Sequence, residues 1–198
     1  SCRASSTMLR PSGVSSASDA SSAAPSSRAR DKPGAGSQAH LAGELMALSA
    51  DVKLIHVPYK GIGPALNDVV GGQVTMMFGA MSAVLPHVRS GKLRALGVAS
   101  IKRSATVPEL PTIAEQGLPR FEAVSWYALM APAGTPAPIV ERLNAQSARS
   151  LAKPAIQEKF AAQGLEPGGG KPQDLATEIQ AETVRWAEVI RKQNIKPD

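Results

Sequence analysis

The chain has 198 residues, of which 43% are hydrophobic and only 4% aromatic, so it can bury a sizeable core built mostly from aliphatic side chains. Its formal net charge is +6, but the cations are spread singly, without runs or interleaved aromatics, which argues against nucleic-acid binding. A single cysteine excludes an intrachain disulfide, and no apolar stretch approaches the ~20 residues of a membrane-spanning helix.

The first 33 residues are rich in serine, alanine and arginine and have no hydrophobic periodicity. Such a segment buries too little apolar surface to offset the conformational entropy lost on ordering. We therefore expect residues 1–33 to be disordered and outside the fold. They suit either a linker or transit-like segment, or sequence foreign to the fold, and they lack the apolar region of a secretory signal peptide.

The first predicted helix begins at a glycine-rich turn. Ser37 is a favourable N-cap, and leucines recur behind it at helical spacing. Free backbone N–H groups and the positive end of the helix dipole favour an anion at such a start. We predict that Gly36, Ser37 and Gln38 bind a carboxylate or phosphate. Many helices begin with Gly and Ser without binding anything, so the spacing by itself is weak evidence.

The next stretch predicts a strand, a turn, a helix and a second strand. Leu54–Val57 is a short apolar run ended by proline, and Pro64 suits the first turn of a helix. The run from Val74 to Phe78 predicts the second strand. Two parallel strands joined through a helix form a right-handed crossover, and ligands bind such sheets at the carboxyl ends of the strands.

This crossover would place four candidate ligand-binding residues together. Tyr59 and Lys60 follow the first predicted strand, and Phe78 and Gly79 end the second. Tyr59 offers a hydrogen-bond donor and a flat apolar wall. Both turn residues have an alternative structural role, because they can simply shield the end of the strand. The glycines that follow Lys60 lack the third glycine of a dinucleotide-binding loop.

Farther along, Met81–Arg89 predicts a short helix and Arg94–Ser100 a strand. Glu122–Ala131 predicts a long strand. This strand contains Trp126, which either lines a ligand cleft or packs in the core, because neighbouring strand residues face opposite ways. The remaining chain predicts three helices that begin near Pro136, Pro154 and Pro172.

The three histidines, His40, His56 and His87, do not have the spacing of metal ligands on one face. We predict neither a metal nor a cofactor. Ser37 and His40 could suggest a nucleophile and its base, but the surrounding residues are not a Gly-x-Ser-x-Gly elbow and no paired acid is evident.

Four segments together resemble one family: HVPYKGIGPALNDVVGGQVTMMF, LPHVRSGKLRALGVAS, KRSATVPELPTIAEQGL and APAGTPAPIVERLN. They are similar to the Bug family, the extracytoplasmic solute-binding receptors of tripartite tricarboxylate transporters. The resemblance runs from about Gly34 to the C-terminus. It implies an α/β fold like that of type II periplasmic binding proteins. Residues 34–124 would be the second lobe, and residues 125–198 the hinge strand and C-terminal helices of the first.

The resemblance implies that the protein captures a small carboxylate-bearing solute in the periplasm and delivers it to membrane transporter subunits. Closure about a hinge would select the bound state, without any chemistry. It also implies that Trp126 can line the cleft and that the Gly36–Gln38 loop holds one end of the ligand. Many family members have Asp where this chain has Gly79, so only backbone donors remain there.

The same resemblance implies that most of the first lobe is missing. The C-terminal helices would then expose apolar side chains such as Ile139, Leu143, Leu175 and Ile179, and solute binding would be weak. Two alternatives remain open. One is a small hydrolase or transferase that uses the Ser37 loop as an anion site. The other is a regulatory ligand-binding domain of the same fold.

Overall fold

The structure, a computed structural model, describes residues 2–4, 6–11 and 36–195. Within them, secondary structure comprises the strands β1 (Cys2–Ala4), β2 (Ser6–Pro11), β3 (Met77–Ala80), β4 (Leu93–Val98), β5 (Ser125–Tyr127) and β6 (Leu165–Pro167), and the helices α1 (Gln38–Ala50), α2 (Ile62–Val70), α3 (Met81–Arg89), α4 (Ala137–Leu151), α5 (Pro154–Ala162) and α6 (Pro172–Lys192). The strands form two antiparallel sheets, in the orders β5-β1-β6 and β3-β2-β4.

The N-terminal strands occupy the centres of both sheets. β1 lies between β5 and β6, and β2 lies between β3 and β4. Disorder is therefore wrong as a prediction for Cys2–Ala4 and Ser6–Pro11, whereas the rest of the predicted segment (residues 1, 5 and 12–33) lies outside the described residues. The physical reason is that strands on both sides satisfy the backbone polar groups of a central strand whatever its side-chain periodicity. Met8 also packs against the core.

The strand predicted at Leu54–Val57 is wrong. The chain from Val52 to Tyr59 has no regular structure, and Ile55 is 80% exposed. The predicted parallel pairing fails with it, because β3 pairs antiparallel with β2. β2 takes the place beside β3 that the sequence interpretation gave to Leu54–Val57.

The helices begin largely where their local signals predict. Proline lies in the first turn of α4, α5 and α6, where its missing N–H leaves no helical hydrogen bond unmade. At the start of α6, the N–H of Lys171 donates to Oδ2 of Asp174 at 2.7 Å. The long strand predicted at Glu122–Ala131 is only the three residues of β5.

The core lies mainly beneath α1, α2 and α3. Among the described residues, every buried apolar side chain except that of Val189 falls between Ala42 and Val124. By contrast, α4 and α5 bury no residue. Ile139 and Leu143 of α4 are 50% and 44% exposed, so their predicted exposure is confirmed. Leu175 and Ile179 of α6 are half-buried, so the prediction fails for that pair.

Candidate functional site

The first turn of α1 has the geometry of an anion site. Gly36 has a φ of 79°, a conformation that glycine adopts without steric cost. The N–H of His40 donates to Oγ of Ser37 at 3.3 Å, so Ser37 is the N-cap as predicted. Within the described residues, no hydrogen bond occupies the N–H groups of Gln38 and Ala39, which point along the helix axis at its positive end.

Gln38 is held by a residue of the sheet that contains β5. The hydroxyl of Ser125 donates to Oε1 of Gln38. Because Oε1 accepts that bond, the Nε2 amide group of Gln38 keeps its two donors for a partner. α1 packs against β3, whereas Ser125 begins β5. This hydrogen bond therefore joins the loop at the start of α1 to the sheet that contains β5.

His40 supports the same loop. The N–H of Gly36 donates to Nδ1 of His40 at 3.1 Å, and Nε2 of His40 lies 3.4 Å from Oε1 of Glu44. The ring stacks on His56, with centroids 3.8 Å apart and an angle of 6° between the planes. Nδ1 of His40 thus accepts from the backbone, and Ser37 accepts from the N–H of His40. Neither contact is that of a base removing a proton from a serine nucleophile.

Tyr59 already has a partner for its hydroxyl group. It donates to Oδ2 of Asp68 at 2.6 Å, and burial, followed by this hydrogen bond and the charge of Asp68, raises the pKa of Tyr59 to about 12. Lys60 is exposed. Lys60 precedes Gly61, which is the N-cap of α2. Gly61 has a φ of 119° and, as a glycine, has no side chain with which to cap the helix.

Phe78 is a core side chain. It is 6% exposed and packs against Phe121, with ring centroids 6.2 Å apart, so it offers little surface to a ligand. Gly79 is buried in β3 opposite Thr7. Trp126 is half-buried and lines a small cleft with Glu182 and Arg185.

The structure brings together some of the predicted site residues. Gly36, Ser37 and Gln38 form one loop, and the His40–His56 stack brings the segment that leads to Tyr59 and Lys60 against it. Among the described residues, no hydrogen bond connects the side chains of Tyr59, Lys60 or Trp126 with that loop. Their ligand contacts, like those of Phe78 and Gly79, stay a prediction.

Sequence interpretation missed two residues of this site, Ser125 and His56. Neither has a local signal, since each acts through a residue distant in the chain. The described residues contain no group of three or more His, Cys, Asp or Glu side chains arranged to hold a metal ion. None of their helices is both long and apolar enough to cross a membrane.

A comparison with protein families matches residues 19–195 to the "tripartite tricarboxylate transporter family receptor". The chain belongs to this family. The match starts inside the segment that we predicted to lie outside the fold. The Bug resemblance is confirmed as well, because the chain is 45% identical over 161 residues to protein BugT of Bordetella pertussis, covering 81% of this chain and 49% of BugT.

A protein from the tcbD–tcbE intergenic region of Pseudomonas sp. strain P51 is 43% identical over 158 residues, which are 79% of this chain and 47% of that protein. The chain thus spans about half the length of these two curated relatives.

Solved structures agree with the family and with the fold. A structure of Rpa4515 from R. palustris with adipate matches with a TM-score of 0.79 and 34% identity, covering 100% of this chain and 68% of that one. The periplasmic binding protein BugD matches with a TM-score of 0.76 and 28% identity, covering 100% of this chain and 68% of BugD. MatC of Rhodopseudomonas palustris with bound malate matches with a TM-score of 0.72 and 28% identity, covering 96% of this chain and 67% of MatC.

These matches confirm the predicted fold, which is that of part of a periplasmic binding protein. The family and the similar structures are those of solute-binding receptors, and nothing in them supports the hydrolase or transferase alternative.

Proposed function

We propose that this chain captures a small carboxylate-bearing solute for a tripartite tricarboxylate-type transporter. The observation that carries the proposal is the start of α1, where the N–H groups of Gln38 and Ala39 have no hydrogen-bond partner among the described residues and the Gln38 amide is held by Ser125. The similar structures that contain adipate and malate support a carboxylate as the ligand. Family membership supports a periplasmic location and transporter subunits as partners.

The start of α1 would recognise one carboxylate of the solute. Two backbone N–H groups and the dipole of a 13-residue helix favour negative charge there. The Nε2 group of Gln38 adds a side-chain donor, and the bond from Ser125 orients it. No nucleophile or proton transfer is required, so binding is the whole of the proposed activity.

Contacts from the other predicted site residues would complete the cleft. Lys60 would add a cation, Tyr59 and Trp126 apolar walls, and the Phe78–Gly79 segment backbone groups. We further propose that residues 34–124 form the second lobe and residues 125–198 the hinge strand and C-terminal helices of the first. The location of nearly all buried apolar residues between 42 and 124 supports this division.

The decisive substitution is Gln38→Glu, because it separates binding from folding. An acid in the first turn of a helix is favourable for the helix, yet it repels a carboxylate and removes the Nε2 donors. Loss of one charge-assisted hydrogen bond, about 1.5–3 kcal/mol, would weaken binding about tenfold or more. Gln173→Glu, an exposed residue in the first turn of α6, makes the same change of charge away from the site.

Binding is measured by NMR titration of the wild-type chain and both variants with adipate up to millimolar concentrations. One contact region gives weak affinity, which NMR still detects. We expect the amide resonances of residues 36–40 to shift most, Gln38→Glu to lose the shift, and Gln173→Glu to keep it. Largest shifts at the start of another helix, or equal affinity of all three proteins, would contradict the proposal.

A further inference from the structure

A cavity lies between α3, β4 and the segment from Thr106 to Leu110, and none of its lining residues belongs to α1. Its volume is about 630 Å³, within the roughly 300–1,000 Å³ of small-molecule sites. The walls are apolar and come from three elements: α3, β4 and the segment before Thr112. The side chains that form its floor and sides include Val84, Leu85, Leu93, Val107 and Leu110, of which all but Leu110 are buried.

Two cations border this apolar cavity. Arg89, at the end of α3, and Arg94, in β4, both line it and are both exposed. Among the described residues, neither makes an ion pair. Glu109 is the single acid in the lining, so positive charge exceeds negative charge at the rim.

The helix dipole accounts for only one of these two cations. Arg89 lies in the last turn of α3, where positive charge is favourable, whereas Arg94 lies in β4 and is not explained in this way. An anion bound at the rim would pair with both guanidinium groups.

We propose that this cavity binds an amphipathic monocarboxylate, with its apolar body against α3 and β4 and its carboxylate at Arg89 and Arg94. A guanidinium group pairs well with a carboxylate. The apolar walls of the cavity disfavour a ligand that is polar along its whole length, because its polar groups would lose water without gaining partners. The cavity shares no lining residue with the predicted solute site. The inference therefore stands independently of the proposed function.

The test uses octanoate as the probe on the full chain. Octan-1-ol, which lacks the charge, and butyrate, which has a shorter apolar body, are the matched ligands. The double variant Arg89→Gln/Arg94→Gln removes both cations from exposed positions, and Lys102→Gln, exposed and outside the cavity, is its control. Calorimetry gives the affinities, and NMR shifts at residues 84–95 and 106–110 locate the probe.

We expect octanoate to bind at least tenfold more tightly than octan-1-ol or butyrate. The double variant should lose at least tenfold for octanoate and leave octan-1-ol unchanged, whereas Lys102→Gln should match the wild type. Three outcomes would overturn the proposal: octanoate shifts confined to residues 36–40, equal binding of octanoate and octan-1-ol, or no effect of the double variant.

Discussion

Replacing Met8 with proline tests whether the N-terminal residues belong to the fold. Met8 lies opposite Phe78 on one side and Gly97 on the other, so it occupies the middle of a central strand. Proline removes a backbone donor and restricts φ, and sheets tolerate it poorly away from edges and bulges. The register of β2 with β4 shifts between Met8 and Leu9, but the register with β3 is continuous from Ser6 to Leu9, so proline at Met8 disturbs the pairing with β3. Met8→Leu is the matched control, because it preserves the side-chain volume and the N–H group.

The expected cost of Met8→Pro follows from these contacts. Proline costs about 3 kcal/mol or more inside a helix, and we expect a cost of similar size inside a strand that is paired on both sides. Loss of a half-buried side chain that packs on the core adds to it. For a domain of this size, 3 kcal/mol lowers the melting temperature by about 6–12 °C. Met8→Leu should cost less than about 1.5 kcal/mol.

Urea unfolding, monitored by circular dichroism, measures both variants against the wild type. If the free energy of unfolding of Met8→Pro lies within about 0.5 kcal/mol of the wild-type value, residues 6–11 are not a central strand. The expectation that these residues lie outside the fold would then be correct.

Two further predictions concern residues beside the proposed solute site and beneath α3. Tyr59→Phe should lower the free energy of unfolding by about 1–2 kcal/mol at pH 7 through loss of the bond to Asp68. Because the pKa of Tyr59 is raised from 10.0 to about 12, this difference is fully present below pH 10 and disappears as the pH rises through 12; a constant difference would refute it. Gly164→Ala should lower the free energy of unfolding by about 1–3 kcal/mol more than Gly72→Ala does. Both glycines have positive φ, but only at Gly164 would a new Cβ lie 2.5 Å from Cβ of Met81. Equal costs in chemical denaturation would show that Met81 moves away freely.

Local signals were sufficient for the helices and for the loop at the start of α1. Ser37 caps that helix because its hydroxyl reaches an N–H group only three residues away, a contact that the sequence pattern encodes. The starts of α5 and α6 at Pro154 and Pro172 follow for the same reason.

The sheets could not be predicted in this way. β2 has only a short apolar run, and its stability depends on strands about seventy and ninety residues later in the chain. The run at Leu54–Val57 has better strand composition, yet no strand within the described residues pairs with it. Strand formation depends more on available partners than on intrinsic propensity, and a single sequence does not show which partners are available.

The hydrogen bond between Gln38 and Ser125 also explains how the proposed binding loop could respond to movement of the two sheets. β1 and β2 are separated by one residue, so each sheet is tied to the other at that point. α1 packs on the sheet that contains β2, and Ser125 lies in the strand next to β1. A rotation that moved β5 away from α1 would lengthen the distance between Ser125 and Gln38 and would release the Gln38 amide from its present orientation. A carboxylate that binds only to the oriented amide stabilises the arrangement in which the hydrogen bond is made, which is the differential contact that closure on a ligand requires.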